Sequence, residues 1–310
     1  RQLTPKDVEG FDAVVHLAEL SNDPLGDLNE RTTYAINHRG SVALAKACKA
    51  AGVERFVYTS SCSVYGAAED GGDRSEQSAP NPQTAYARCK LLVERDVGAL
   101  ADTHFSPVFL RNATAFGASP RMRFDVVLNN LAGFAWTTKE IRMTSDGTPW
   151  RPLVHVEDIS QAATLALTAP REAVHNEIFN VGDEAQNYRI REIATIIGQA
   201  FDGCAVTFGP PSGDNRSYRT SFDKIRRHLP SFRCRWPAER GARQLRDVFE
   251  RIGMTKETFS FRGFTRLEQL KHLIATRQID DDLFWRRPDE PRCNHDGGQA
   301  SHLSAAGYVL

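Results

Sequence analysis

The sequence predicts an α/β fold, a parallel sheet covered by helices, and three observations carry that reading. Short β-branched or apolar runs alternate with longer helical patterns along the whole chain. One of the helical stretches, Arg189 to Phe201, repeats isoleucine and alanine at helical spacing (Ile190, Ile193, Ile196, Ile197, Ala200), as an amphipathic helix does. At 310 residues the chain is also long enough for one large domain or two modest ones around a well-buried core.

The elements follow in order. Residues 11–18 (Phe-Asp-Ala-Val-Val-His-Leu-Ala) read as a buried strand, and 29–51 as a helix closed by Gly52, a residue that readily takes a left-handed cap. Residues 55–61 form the next strand, 83–102 a helix, and 107–111 a third strand. Past Gly117 the texture changes. A helix over 124–135 leads to a strand at 140–143 and a turn at Asp146-Gly147-Thr148-Pro149. Residues 154–167 read as loop then helix, 177–181 as a strand, and 238–252 and 266–277 as helices. After Trp285 the composition turns to Pro, Asp, Asn, Gly and Ser, the mark of a flexible tail.

Composition narrows the function. Lys+Arg and Asp+Glu both number 39, so no charge excess points to nucleic acid or to a membrane surface. No apolar run approaches the roughly 20 residues of a membrane span, and residues 1–7 lack the apolar core of a signal peptide. The six cysteines are scattered with no Cys-x-x-Cys, so the expectation is free thiols in a reducing cytoplasm and no metal site.

The chemistry centres on Tyr86-Ala87-Arg88-Cys89-Lys90 within the helix at 83–102. A four-residue spacing puts Tyr86 and Lys90 on one helix face, a turn apart. A tyrosine phenol ordinarily ionises near pH 10, and a neighbouring ammonium favours the phenolate, so such a pair can move a proton. Tyr-x-x-x-Lys alone is common by chance. Its context is not: 25 residues upstream of Tyr86 the strand at 55–61 ends in Ser60-Ser61-Cys62-Ser63, and 107–111 leads into Asn112-Ala113-Thr114. In parallel sheets ligands bind outside the carboxyl ends of the strands.

With His16-Leu17-Ala18, Asn37-His38-Arg39-Gly40, Ser61 to Gly66, Leu110-Arg111 and Arg151 to Asp158 added, the chain resembles the NAD-dependent epimerase/dehydratase family over positions 3 to about 230. These are the extended short-chain dehydrogenase/reductases that act on nucleotide-diphosphate sugars. The resemblance implies a Rossmann-type doubly wound parallel sheet with a smaller α/β substrate-binding domain. A dinucleotide-binding domain would span 1–112, with 152–182 returning to it, a mainly substrate-binding domain 113–287, and a flexible tail 288–310.

It also implies roles. Tyr86 is the acid/base at the sugar hydroxyl, Lys90 lowers its pKa and holds the nicotinamide ribose, and Ser61 polarises the same hydroxyl. Leu17, Ala18, Asn37, Asn112 and Ala113 line the cofactor together with Tyr86 and Lys90. Thr114 and Arg151 reach the substrate diphosphate, a guanidinium fork being well suited to it. Asn130, Leu131 and Asp214 make further substrate contacts. The cofactor is NAD in preference to NADP, and the assembly a homodimer through the helices at 29–51 and 83–102.

Other residues carry plainer readings. Ser60 and Ser63 read as turn formers, Cys62 as packing, the four tryptophans as core, and His16 and His155 as structural. Arg216 and Arg219 stand evenly between surface charge and diphosphate contact.

Two departures stand out. The family opens with a strand, Gly-x-x-Gly-x-x-Gly and a helix whose N-terminus holds the pyrophosphate, and that pattern is not in this sequence. The expectation is therefore a sheet lacking its first βα units and its cofactor loop, with an apolar edge exposed and NAD held poorly. Glu19 stands where a small residue is expected after His16-Leu17-Ala18, either repelling a cofactor phosphate or facing solvent.

The carboxylates that sugar dehydratases place after the strand-end hydroxyl are Cys62 and Ser63 here, which disfavours dehydration. The reading is an NAD-dependent nucleotide-sugar epimerase working at C4 through a 4-keto intermediate, ahead of a 4-ketoreductase. A non-catalytic remnant is the alternative from another class.

Overall fold

The computed structural model describes residues 3–67, 72–211 and 217–286. Asp214, Arg216 and the tail expected over 288–310 lie outside the described residues.

Four parallel strands pair in the order Ala13–His16, Arg55–Ser61, Ser106–Asn112 and Glu177–Val181. Alternation sends their side chains to two different cores. Phe56, Tyr58 and Phe109 pack on one face with Ala45, Cys48, Val93 and Val97 from the helices Ser41–Ala50 and Ala85–Gly98. Val57, Val108, Leu110 and Phe179 pack on the other with Ala162 and Ala166 of helix Val156–Thr168 and Ile225 of helix Asp223–His228. Each fully buried aliphatic or aromatic side chain of this kind stabilises the fold by about 1.5–3 kcal/mol relative to leaving it in water.

The expected sheet lacking its first βα units is corrected by this arrangement. The strand Ala13–His16 is followed by its own helical layer: Asn22 caps the helix Asp23–Gly26 by accepting from Leu25 N, Asn29 caps Glu30–Thr33, and a π-helical segment Tyr34–Gly40 leads into Ser41–Ala50. The strand then pairs in register with the next, Ala13 opposite Arg55 and His16 opposite Tyr58. The edge is not bare on its faces either: Val14 packs into one core cluster and Val15 into the other. Lack of a glycine motif is not lack of a βα unit. Asparagine caps turn the chain here instead.

The second half gathers a separate core. Helices Val127–Thr138, Ile190–Ala200 and Ala238–Arg251 bury Leu128, Leu131, Ile193, Ile197, Leu245 and Phe249 against one another. A strand not expected from sequence, Trp150–His155, joins this part to the main sheet's carboxyl end. It pairs parallel with Thr114–Phe116 and antiparallel with Asn187–Arg189. The sequence reads as loop then helix over 154–167 with no strand before it; Pro152, which cannot donate to a ladder, is held within this strand. Gly117 follows with φ 104°, and a Cβ there would fall 2.0 Å from His155 Nε2, so the chain turns where only glycine fits.

Residues 256–286 pack back over the first helical layer. Arg31 pairs with Asp282 at 2.8 Å, and Arg266 donates to Glu19 O at 3.2 Å. Among the described residues no helix is long and apolar enough to cross a membrane.

Candidate active site

The site lies at the carboxyl ends of the first three strands. The register sets Ser61 directly opposite Asn112. Ser61 leaves the strand and caps a 3-10 turn, accepting from Ser63 N at 3.1 Å. Thr84 caps the next helix by accepting from Ala87 N at 3.2 Å, which fixes Tyr86 in the first turn and Lys90 one turn on. The Ser61 hydroxyl lies near the Tyr86 phenol and lowers its pKa. The Lys90 ammonium lies 5.4 Å from the Tyr86 ring centre and 4.6 Å from that of Tyr58, and donates to Thr59 O. The three residues named from the sequence as catalytic thus lie together at the strand ends.

Its electrostatics differ from the simple pair. Glu19 does not face solvent. It is buried, with Oε2 2.7 Å from Lys90 Nζ, while Oε1 accepts from Tyr58 at 2.6 Å and Ser41 at 3.1 Å. Burial pushes the Tyr86 phenol above its ordinary value. Lys90 and the neighbouring Ser61 hydroxyl pull it down, Glu19 pushes it up, and the net direction is upward. Burial pushes the Lys90 ammonium down, but Glu19 and Tyr86 outweigh it and hold it protonated. His16 is driven down by burial and bonds Ser41 at 2.8 Å, a neutral structural ring.

The other named residues divide. Leu17 and Ala18 are exposed at the end of the edge strand. Asn37 is fully buried, and its side chain both accepts from Leu20 N and donates to Leu20 O, each at 2.9 Å, so it braces the loop beside the site. Asn112 donates to Ser60 O at 3.5 Å, and its Oδ1 is buried without a partner. Ala113 is buried and bonded to Val181 O, with Thr114 half-buried just beyond. Arg151 is half-buried, its guanidinium 6.0 Å from the Tyr218 ring. Asn130 bonds Phe124 O at 2.9 Å, and Leu131 is packed inside the second core. Among the described residues no cluster of His, Cys, Asp or Glu could hold a metal.

Residues 4–182, more than half the chain, match the model of the NAD dependent epimerase/dehydratase family. The chain belongs to that family. It is 28% identical over 192 residues to "Uncharacterized UDP-glucose epimerase YtcB" of Bacillus subtilis, covering 61% of this chain and 58% of that protein. It is 27% identical over 200 residues to a UDP-glucose 4-epimerase of Neisseria gonorrhoeae, covering 59% of each. The chain therefore spans less than two thirds of the length of these curated relatives. The solved structure titled "MoeE5 in complex with UDP-glucuronic acid and NAD" superposes with a TM-score of 0.70 at 27% identity, over 82% of this chain and 84% of that one.

Set beside these family members, the expectation that the cofactor loop is missing is corrected. The loop from the first strand to the first helix is present as residues 17–22, at the carboxyl end of the strand, the side of a parallel sheet on which ligands bind. It carries no glycine, and Asn37 holds it from below.

Sequence reasoning missed the brace beneath the site. Arg111 is buried and paired with Glu94, Nη2 to Oε2 at 2.6 Å and Nε to Oε1 at 2.9 Å, and also donates to Tyr65 at 3.0 Å. Glu94 accepts from Ser60 at 2.5 Å, and Tyr65 donates to Asn180 at 2.7 Å. The spacing of Lys90 and Glu94 was the available signal, since both lie one helical turn apart on the face that carries Tyr86.

Proposed function

We propose that the protein is an NAD-dependent nucleotide-diphosphate-sugar epimerase, inverting C4 through a 4-keto intermediate. The observation that carries the reading is Tyr86, Ser61 and Lys90 meeting at the carboxyl ends of parallel strands. Tyr86 takes the proton of the sugar hydroxyl and returns it. Ser61, beside the same phenol, orients that hydroxyl, and Lys90 holds the charge balance beneath. Arg151 grips the diphosphate, beside Thr114 and, by resemblance, Asn130 and Asp214.

The residues present fit a nicotinamide dinucleotide at one telling point: Asn112 Oδ1, opposite Ser61, is a buried acceptor with no protein donor. Leu17, Ala18, Asn112 and Ala113 would hold the group, with Asn37 shaping the loop. When bound it supplies the acceptor and donor of the C4 hydride.

Dehydration lacks its acid at this site. The Cys62 thiol is buried, bonded to Arg111 O at 3.1 Å and pushed well above its ordinary range by burial, and Ser63 bears no carboxylate.

A division into a dinucleotide-binding part (1–112 with 152–182) and a substrate part (113–287) is supported by Glu177–Val181 pairing with Ser106–Asn112 and by the separate core. A homodimer would form through Ser41–Ala50 and Ala85–Gly98, and the free cysteines among the described residues suit a reducing cytoplasm.

The test is incubation with NAD and a panel of nucleotide-diphosphate hexoses in D2O, followed by NMR. C4 epimers should form with no deuterium on the sugar, since the hydride returns internally. Tyr86→Phe should lose about 10²–10⁴-fold in rate with its melting temperature unchanged. Deuterium at C5 or C6 would point to dehydration, and no interconversion with any hexose would sink the proposal.

A further inference from the structure

Glu19 places a buried carboxylate where the resemblance leads one to expect a small residue. Its carboxylate is locked from three sides, by Lys90 Nζ at 2.7 Å, the Tyr58 hydroxyl at 2.6 Å and the Ser41 hydroxyl at 3.1 Å. Glu19 and Lys90 are 3% and 5% exposed at their side chains, so water screens the pair little. The ammonium's remaining contacts are Thr59 O and the faces of Tyr58 and Tyr86. A lone ammonium at this distance would lower a phenol's pKa, but an anion in contact with that ammonium cancels most of its field at Tyr86.

We infer that Glu19 is a positioning residue for the proton-transfer pair, holding Lys90 in an ion pair and cancelling its charge at Tyr86, so that the phenol stays protonated in the ligand-free chain. The charged and titratable groups facing this point are His16, Asp23, Tyr58, Cys89, Lys90, Glu94, Tyr218 and Arg266. Lys90 is the cation in contact with the Glu19 carboxylate, since burial keeps His16 neutral and Arg266 bonds the Glu19 backbone carbonyl. Burial is the largest cause of the upward shift at Tyr86, while Lys90 pulls it down and Glu19 opposes Lys90. The catalytic consequence rests on the proposed proton role of Tyr86, whereas the charge cancellation does not.

The experiment titrates the Tyr86 phenol in the full chain, with no cofactor or sugar, by NMR of ring-labelled tyrosine. Tyr86→Phe identifies the signal among the seven tyrosines. Glu19→Gln should lower the Tyr86 midpoint by about one pH unit or more, since an opposite charge within about 4–6 Å shifts a pKa by 1–3 units once it is no longer cancelled. The double variant Glu19→Gln/Lys90→Met removes both buried charges together and should titrate within about half a unit of the wild type.

Because Glu19→Gln alone leaves Lys90 buried without its counter-ion and can unfold the chain, the double variant decides independently. A Tyr86 midpoint unchanged in Glu19→Gln overturns the inference. So does a double variant about one unit or more above the wild type, which would mean that Lys90 had been acting on Tyr86 uncancelled. Neither readout depends on turnover, so failure of the epimerase assay leaves this inference standing.

Discussion

Replacing Arg111 by Met removes the cation that lies under the two strand ends carrying Ser61 and Asn112. Glu94 then keeps only the Ser60 hydroxyl, having lost the bonds from Arg111 Nε and Nη2 at 2.9 and 2.6 Å, with both side chains 3% exposed. Breaking a buried pair from one side costs about 3–5 kcal/mol, because the remaining charge is uncompensated. An exposed pair would cost only about 0–1 kcal/mol. Against a total stability of about 5–15 kcal/mol, such a loss is a large fraction.

Removing both partners, in Arg111→Met/Glu94→Leu, takes away the charge problem and leaves Ser60 and Tyr65 each short of one bond, at about 1 kcal/mol apiece. The double variant should therefore cost about 2 kcal/mol or less. Urea unfolding followed by circular dichroism reads both values. A single variant within about 1 kcal/mol of wild type, or a double variant as damaged as the single, would refute the reasoning that an uncompensated Glu94 charge is what destabilises.

Two further outcomes follow from the fold. Gly117→Ala should cost about 3 kcal/mol, combining a left-handed φ with a Cβ driven into a His155 ring that Trp236 stacks at 4.4 Å and Gln244 bonds at 2.9 Å; a melting temperature unchanged from wild type would mean that His155 moves freely. Burial lowers the pKa of His16 and His155 below 6.5, so the unfolded chain binds more protons than the folded one at mildly acidic pH. Stability is then fully present above about pH 6.5 and falls as pH drops through the lowered folded values, by at most about 1.4 kcal/mol per pH unit for each ring. Melting temperatures from pH 8 to 5 should show the fall, and His16→Gln should flatten it; a slope that survives in the double His16→Gln/His155→Gln variant would assign it to other groups.

What could be read from the sequence was local. The strands 55–61 and 177–181 have the predicted bounds, and the helix Ile190–Ala200 lies within its predicted span, because alternation or helical spacing was strong over short distances. The grouping of Tyr86, Lys90 and Ser61 was legible for a similar reason, as helix spacing plus a strand end. What failed depended on partners far along the chain. Trp150–His155 is a strand because Thr114–Phe116 and Asn187–Arg189 flank it, which outweighs the proline. Glu19 is buried because Ser41, Tyr58 and Lys90 converge on it from three elements. Asn37 carries the family's motif, but its amide closes on Leu20 17 residues earlier, a pairing that no spacing rule anticipates. The first βα unit escapes a motif-based reading because asparagine caps, not glycines, start the helices that follow its strand.

The widened turn at Tyr34–Gly40 bears on which sequence lengths this helix tolerates. A π turn accommodates one residue more than an α turn, so losing a single residue there would let the helix relax to regular winding. Because the wide turn absorbs the extra residue, that loss would keep the preceding residues in phase with Ser41–Ala50. A residue lost from the regular winding of Ser41–Ala50 would instead rotate everything before it by about 100°, carrying the caps at Asn22 and Asn29 away from the sheet edge. Single-codon deletions across 41–50 should therefore be selected against more strongly than those across 34–40.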